Sequence, residues 1–167
     1  MDEMASSRES TILIRLAEAG DAERLAELSG ILQRQHAAQR PETFKPYDGA
    51  SGISFFRDQS ARSGVVILVG QAAHTAVGYL MAEAIAHEDT PFTSALTVLH
   101  IQHLVVDVDF RRQGVGQALL AEAEQEANRR GCAVLQLACW SFNQDAQAYF
   151  AANGFAPYQV RMTRPAR

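Results

Sequence analysis

The residues best equipped for chemistry fall in two adjoining stretches. Arg111-Arg112-Gln113-Gly114-Val115-Gly116 lies between an apolar, β-branched run and a helical pattern, and His100, Gln102 and His103 interrupt that run just before it. A strand, a short glycine loop and a helix together make a construction for binding an anion. The first turn of a helix has unpaired N–H groups and carries the positive end of the macrodipole. Gly114 and Gly116 have no Cβ to keep a phosphate from the backbone, and Arg111, Arg112 and the Gln113 side chain add donors around the same point. Taken alone, the two glycines also fit a simple tight turn. Two phosphate chemistries are excluded. A dinucleotide site asks for a small residue where Leu119 stands and an acidic one about 20 positions on, where the chain has Gln136. A triphosphate loop asks for Gly-Lys-Ser/Thr, and Gly116 is followed by Gln117 and Ala118.

The elements that must position these residues are legible from patterning. Ile12–Leu16 reads as a first strand, with Asp21 as N-cap of a helix carrying Leu25, Leu28 and Leu32. The stretch from Arg40-Pro41 to Gly52 is a loop before a short helix near Phe55 and Phe56. Val65–Val69 is a buried strand, and His74–Ala84 and Ala95–Val106 are two more around a polar turn at Glu88–Pro91. Val115, Leu119, Ala123 and Ala127 recur every four residues, leaving Glu122, Glu124 and Glu126 largely outside the stripe, and Gly131 closes that helix after Arg129 and Arg130. Ala133–Ala138 is a strand, Asn143–Asn153 a helix closed by Gly154, and Val160–Thr163 a last strand. The order is βαα, three strands, then αβαβ.

The run Leu104-Val105-Val106-Asp107-Val108-Asp109-Phe110-Arg111-Arg112-Gln113-Gly114-Val115-Gly116-Gln117-Ala118-Leu119-Leu120 resembles the signature of the GNAT superfamily of N-acetyltransferases, whose core is Arg/Gln-x-x-Gly-x-Gly/Ala. Asn143-Gln144-Asp145-Ala146 and Asn153-Gly154-Phe155 resemble further elements of the same superfamily at its usual spacing, so the resemblance covers nearly the whole chain. It implies a mixed α/β (α+β-like) fold with a predominantly antiparallel twisted sheet of six or seven strands, splayed at its centre and flanked by helices. It implies acetyl-CoA as cosubstrate, with Gln113, Gly114, Val115, Gly116, Gln117 and Ala118 on the pyrophosphate and Arg111 and Arg112 beside it. Leu104, Val106 and Asn143 would meet the pantetheine arm. A bulge amide at Val105 or Leu104 would polarise the acetyl carbonyl, and transfer to an amine would be direct, without a covalent enzyme intermediate.

The resemblance makes His100, eleven residues before Arg111, the first candidate for the base, and an ordinary histidine pKa of about 6.5 suits the task. Strict alternation places His100 and Gln102 on one face of the strand and His103 on the other, unless a bulge intervenes. Both histidines also read as hydrogen-bonded strand residues, and Glu83 on the neighbouring strand is a further candidate. The acid is open. Relatives carry a tyrosine seven residues after the motif asparagine, where this chain has Phe150; Tyr149 stands one place earlier, about 100° around a helix, and reads equally well as core. Water or Tyr158 are alternatives, as is an unassisted thiolate. His36, Phe44, Tyr47 and Phe56 fall in the region that shapes the acceptor pocket in the superfamily, with Trp140 and Phe142 at the end of the splayed strand.

Bulk properties limit the other classes. With 167 residues the chain fits one domain, 1–167, with residues 1–9 as a flexible N-terminus. A net charge of −4 and a pI near 5.7 argue against a nucleic-acid partner, which lowers the standing of a toxin-type transferase acting on aminoacyl-tRNA. Cys132 and Cys139 match no disulfide or zinc spacing, the histidines match no metal motif, and no apolar stretch is long enough for a signal peptide or a membrane span. A cytoplasmic, metal-free protein is expected, and the resemblance adds a possible homodimer. Phe150 keeps a second class open, a noncatalytic acyl-CoA sensor on the same fold.

Overall fold

The computed structural model describes residues 11–166; the N-terminal stretch 1–9 lies outside the described residues. Its elements are β1 (Leu13–Leu16), α1 (Ala22–Gln39), α2 (Gly49–Ser60), β2 (Val65–Ala72), β3 (Thr75–His87), β4 (Leu96–Val106), α3 (Val115–Arg129), β5 (Val134–Leu137) and α4 (Gln144–Ala152). The strands form one sheet in the order β1-β2-β3-β4-β5, antiparallel throughout except for the parallel pair β4 and β5.

β2 sits inside the sheet with helices over both faces, which is why Val65–Val69 reads as a continuous apolar run rather than an alternating one. It turns into β3 through Ala73 and His74, both at positive φ (43° and 71°), the twist a two-residue hairpin turn demands. On one face the α3 stripe of Val115, Leu119, Ala123 and Ala127 packs against Val66, Leu68, Leu80, Leu99 and Ile101. On the other, Leu25 and Leu28 of α1 and Phe56 of α2 cover Ile67, Val69, Tyr79, Met81 and Val105. Each fully buried side chain of this size contributes about 1.5–3 kcal/mol. Arg24 anchors α1 to the sheet, donating to the Ala76 carbonyl (2.9 Å) and to Asp107 (2.6 Å) at the end of β4.

Three expectations are corrected. The sheet has five strands among the described residues, not six or seven: Val160–Thr163 has strand-like alternation, but it is extended chain with no strand beside it. Asp21 occupies the N-cap position of α1 without capping it, because its carboxylate is taken by Arg15 (2.7 and 2.9 Å) and the Glu18 amide (2.7 Å). Glu126 is buried rather than set outside the stripe. It accepts from Arg129 (2.8 Å) and Arg130, and Arg130 donates to the Ser63 carbonyl (3.2 Å), so the carboxylate fastens the end of α3 to the turn before β2.

Candidate functional site

β4 and β5 pair only from Val98↔Val134 to Ile101↔Leu137. Past Ile101, β4 continues to Val106 on β3 alone, so the two parallel strands open into a fork. Strand backbone groups repeat their direction every second residue. Asp107 donates to the Val77 carbonyl (2.8 Å), so Val105, in register with Tyr79, also turns its amide toward β3. Leu104 and Val106 therefore turn theirs into the fork, where Arg111 Nε reaches the Val106 carbonyl at 3.4 Å. Of the two amides expected to polarise a carbonyl, Leu104 faces the opening and Val105 does not.

The alternation of β4 breaks where its register does. Met81 faces His103 while Ala82 faces Ile101, leaving Gln102 as an extra residue, a bulge. The bulge overturns the placement of His103 on the opposite face. Its ring lies among Phe55, Phe56 and Tyr79, on the α1/α2 side. Cross-strand partners share a face, and the Val65–Glu83–His100 row puts half-buried His100 on that same side. Gln102 joins them by donating to Glu83 (2.9 Å). Glu83 also pairs with Arg62.

His103 Nδ1 and the Tyr79 hydroxyl share a hydrogen bond of 3.0 Å. Enclosure by aromatic rings pushes the His103 pKa down to about 4, with the neighbouring His36 adding to the effect, and burial raises the Tyr79 phenol well above its ordinary range. Both groups are thus neutral near pH 7. His36, whose own pKa burial lowers, sits in a second aromatic group with Phe44 (4.7 Å between ring centres) and Phe142 (5.7 Å). Trp140 packs on Phe44 (5.1 Å) and lies under the Arg40 guanidinium (5.7 Å). The end of α1, the loop after it and the segment beyond β5 thus form one aromatic wall. Phe56 is core, and Tyr47 packs on Gly30 and Arg34 instead. Sequence reasoning missed the pairing of His103 with Tyr79, and the only signal was the excess of polar residues in β4.

At the mouth of the fork, Arg112 (φ 61°) and Gly114 (φ 82°) both take left-handed backbone, curling the loop so that successive amides converge. The first bond inside α3 runs from the Ala118 amide to the Gly114 carbonyl (2.9 Å), and no side chain caps the helix. The amides of Val115, Gly116 and Gln117 are therefore helix-end donors, and a Cβ at Gly114 would meet nothing within 4 Å. Uncapped helix-end donors behind a glycine loop fit a phosphate-bearing group. The Gln113 side chain is not part of this cradle, since it donates back to the Asp109 carbonyl (2.9 Å).

α4 closes the other side. Asn143 caps it, accepting from the Ala146 amide (3.2 Å) through Oδ1 and leaving its Nδ2 donor for other partners. The Tyr149 hydroxyl is buried without a hydrogen-bond partner and lies against Gly116, where a Cβ would come within 2.5 Å of its oxygen. Burial raises its pKa. Phe150 meets Tyr149 and Phe155 edge to face, with ring centres 5.6 and 5.5 Å away. Tyr158 is far out in solvent, 75% exposed, which sets it apart from the fork. Among the described residues no group of three or more His, Cys, Asp and Glu side chains is placed to hold a metal ion, and no helix is long and apolar enough to cross a membrane.

The sequence model of the acetyltransferase (GNAT) family matches residues 25–155, most of the chain. No curated protein matches it. Among solved structures, a variant of the BH1408 protein from Bacillus halodurans is similar over 93% of this chain and 99% of its own, with 20% identity and a TM-score of 0.87. The aminoglycoside N-acetyltransferase AAC(6')-Iy in complex with CoA is similar over 96% and 98%, with 18% identity and a TM-score of 0.77. A possible acetyltransferase from Clostridium difficile 630 matches over 93% and 97%, with 17% identity and a TM-score of 0.73.

Proposed function

The chain belongs to the GNAT acetyltransferase family, and from that premise we propose that it transfers an acetyl group from acetyl-CoA directly to a primary amine of a small molecule, peptide or protein. The observation that carries the reading is that one strand, β4, runs from a row of polar side chains at its middle, His100 to His103, along the fork to an uncapped glycine cradle at its end. AAC(6')-Iy, of the same fold, has been solved with CoA and with the bisubstrate analog CoA-S-monomethyl-acetylneamine, which supports a coenzyme and an amine as the two ligands of this fold.

In this reading the amides of Gln113–Gln117 hold the pyrophosphate, the Ala118 amide being engaged by the Gly114 carbonyl, with Arg111 and Arg112 beside it. The backbone of Leu104 and Val106 and the Nδ2 of Asn143 hold the extended arm. The coenzyme, when bound, supplies an acyl group activated as a thioester. The Leu104 N–H is the donor aimed into the fork, where it favours charge building on a carbonyl oxygen. His100 removes the proton of the incoming amine, while His103, fixed by Tyr79 and kept neutral, orients the amine as a hydrogen-bonding partner. Tyr149, a phenol kept protonated by burial, is a candidate acid for the departing thiolate, set against Gly116 on the α4 side of the fork.

Phe150 favours a second reading, a noncatalytic acyl-CoA sensor, because it fills the tyrosine position of the family without a titratable group. Thiol release from acetyl-CoA across a panel of amines, run beside direct coenzyme binding, separates the two. Amine-dependent release supports the transferase; tight binding with no release on any amine overturns it in favour of the sensor.

A further inference from the structure

The side chains beside the polar row of β4 are mostly rings. Phe55 stacks on His103 (6.2 Å between ring centres, 29° between planes) and is 39% exposed. His36 joins this pair to the second group of rings: it lies close enough to His103 to depress that histidine's pKa, and it packs on Phe44 and Phe142. Trp140 and Phe142 stack on each other (5.9 Å, 19°), and Trp140 is 37% exposed. Phe142 immediately precedes Asn143, the cap of α4 beside the fork, so the rings run from the polar row to the coenzyme side. Packing accounts for a fully enclosed ring such as Phe56. It does not account for Phe55 and Trp140, which keep open surface in a contiguous aromatic patch next to the polar row, the kind of patch that marks a binding site.

The charges on this side are already engaged. Glu42, in the loop after α1, accepts from Arg40 (2.5 Å), and Glu83 accepts from Gln102 (2.9 Å) and pairs with Arg62. Asp48 caps α2 through the amides of Ala50 and Ser51. Asp58 and Asp145, on α2 and α4, are exposed, where water weakens their pull on a cation. Burial lowers the pKa of both His36 and His103, and the Arg40 guanidinium lies over Trp140 (5.7 Å). A ligand with several positive charges would therefore meet a cation at the rim, two neutral imidazoles and no unpaired carboxylate from the loop or the polar row. An aromatic ligand meets ring faces to pack on and one polar atom, His103 Nε2, since Nδ1 is shared with the Tyr79 hydroxyl. We infer that this wall binds the acceptor, and that the acceptor is a primary amine carried on a flat aromatic body with no second positive charge. The word acceptor rests on the proposed transfer reaction; the preference for a ring rests on the wall itself.

Trp140 is the only tryptophan of the chain, so its fluorescence reads the wall directly and without turnover. In the CoA-loaded protein, phenethylamine should change Trp140 emission and bind about tenfold more tightly than hexylamine, which is apolar but has no ring. Spermidine and the aminoglycoside kanamycin, which carry several charges, should bind more weakly still. Phe44→Leu and Phe55→Leu keep apolar bulk and remove a ring face; each should weaken phenethylamine severalfold and leave hexylamine unchanged. Equal affinity for phenethylamine and hexylamine, tighter binding of spermidine or kanamycin, or undiminished phenethylamine affinity in both leucine variants would overturn the inference. Thiol release with the same amines is read separately. Ring-dependent binding without release would leave the aromatic site standing and sink only the transfer reaction, whereas release that favours the polycations would uphold the transfer and overturn the aromatic acceptor.

Discussion

Gly116→Ala tests the contact between the cradle and α4. A Cβ at this position lies 2.5 Å from the Tyr149 oxygen and 3.2 Å from the ring carbon that bears it, against about 3.5 Å for an unstrained carbon contact. Both partners sit on helices, so relief requires moving an element or tilting a packed ring. Overpacking of this kind costs about 1–3 kcal/mol, while alanine gains up to about 1 kcal/mol over glycine in a helix and less in its first turn. The variant should lose roughly 1–2 kcal/mol of stability. Tyr149→Phe removes the clashing oxygen and with it a buried hydroxyl that has no partner, so it should be neutral or stabilising by up to about 1 kcal/mol. In the phenylalanine background only the 3.2 Å contact remains, and Gly116→Ala should there be close to neutral. Urea unfolding of the four proteins measures the coupling, expected near 1 kcal/mol or more. Additive effects, within about 0.5 kcal/mol, would mean that Tyr149 does not press on Gly116, and would remove the basis for placing its phenol beside the cradle.

Gly114→Asp brings a carboxylate to the open side of the cradle, and calorimetry should show CoA affinity falling at least about tenfold by charge repulsion at short range; unchanged affinity would refute the assignment of the loop. His100→Ala should lower kcat by about a hundredfold or more while leaving CoA binding intact, the usual cost of losing a general base. A pH–rate profile identical to that of the unaltered protein would exclude His100. His103 gives a stability test. Its folded pKa, about 4, lies below the unfolded value near 6.5, so between those values the unfolded chain binds more protons and stability falls as pH is lowered, by up to about 3 kcal/mol in total. Thermal melts of His103→Asn should be flatter across pH 4 to 6.5 than those of the unaltered protein, and identical slopes would show that His103 is not desolvated.

What the sequence declares well is local. The Val115–Ala127 stripe, the glycines at 114 and 116 and the caps at Gly131 and Gly154 are set by interactions within a few residues, and all take the expected conformations. What it conceals depends on partners far along the chain. The bulge at Gln102 exists only as a mismatch between β3 and β4, so no reading of β4 alone could return His103 to the side of His100. The aromatic wall draws His36, Phe44, Trp140 and Phe142 from three separate segments. Asp21 looks like a cap until Arg15, six residues earlier in another element, claims its carboxylate. Val160–Thr163 has a strand's alternation, but alternation specifies a face and not a neighbour.

The fork also bears on how the fold is protected when the chain breathes. Leu104 and Val106 turn peptide groups into the opening between β4 and the last strand of the sheet, where pairing would normally keep amide hydrogens from exchanging. An occupant that lies extended between β4 and β5 supplies part of the missing ladder, so its affinity becomes local protection for these two amides. Hydrogen exchange should therefore divide the β4 amides that face away from β3 into two kinetic classes, Leu99 and Ile101 governed by β5 and Leu104 and Val106 governed by whatever fills the gap. In a cell the half-life of this chain would then follow the concentration of its ligand as well as its own folding free energy.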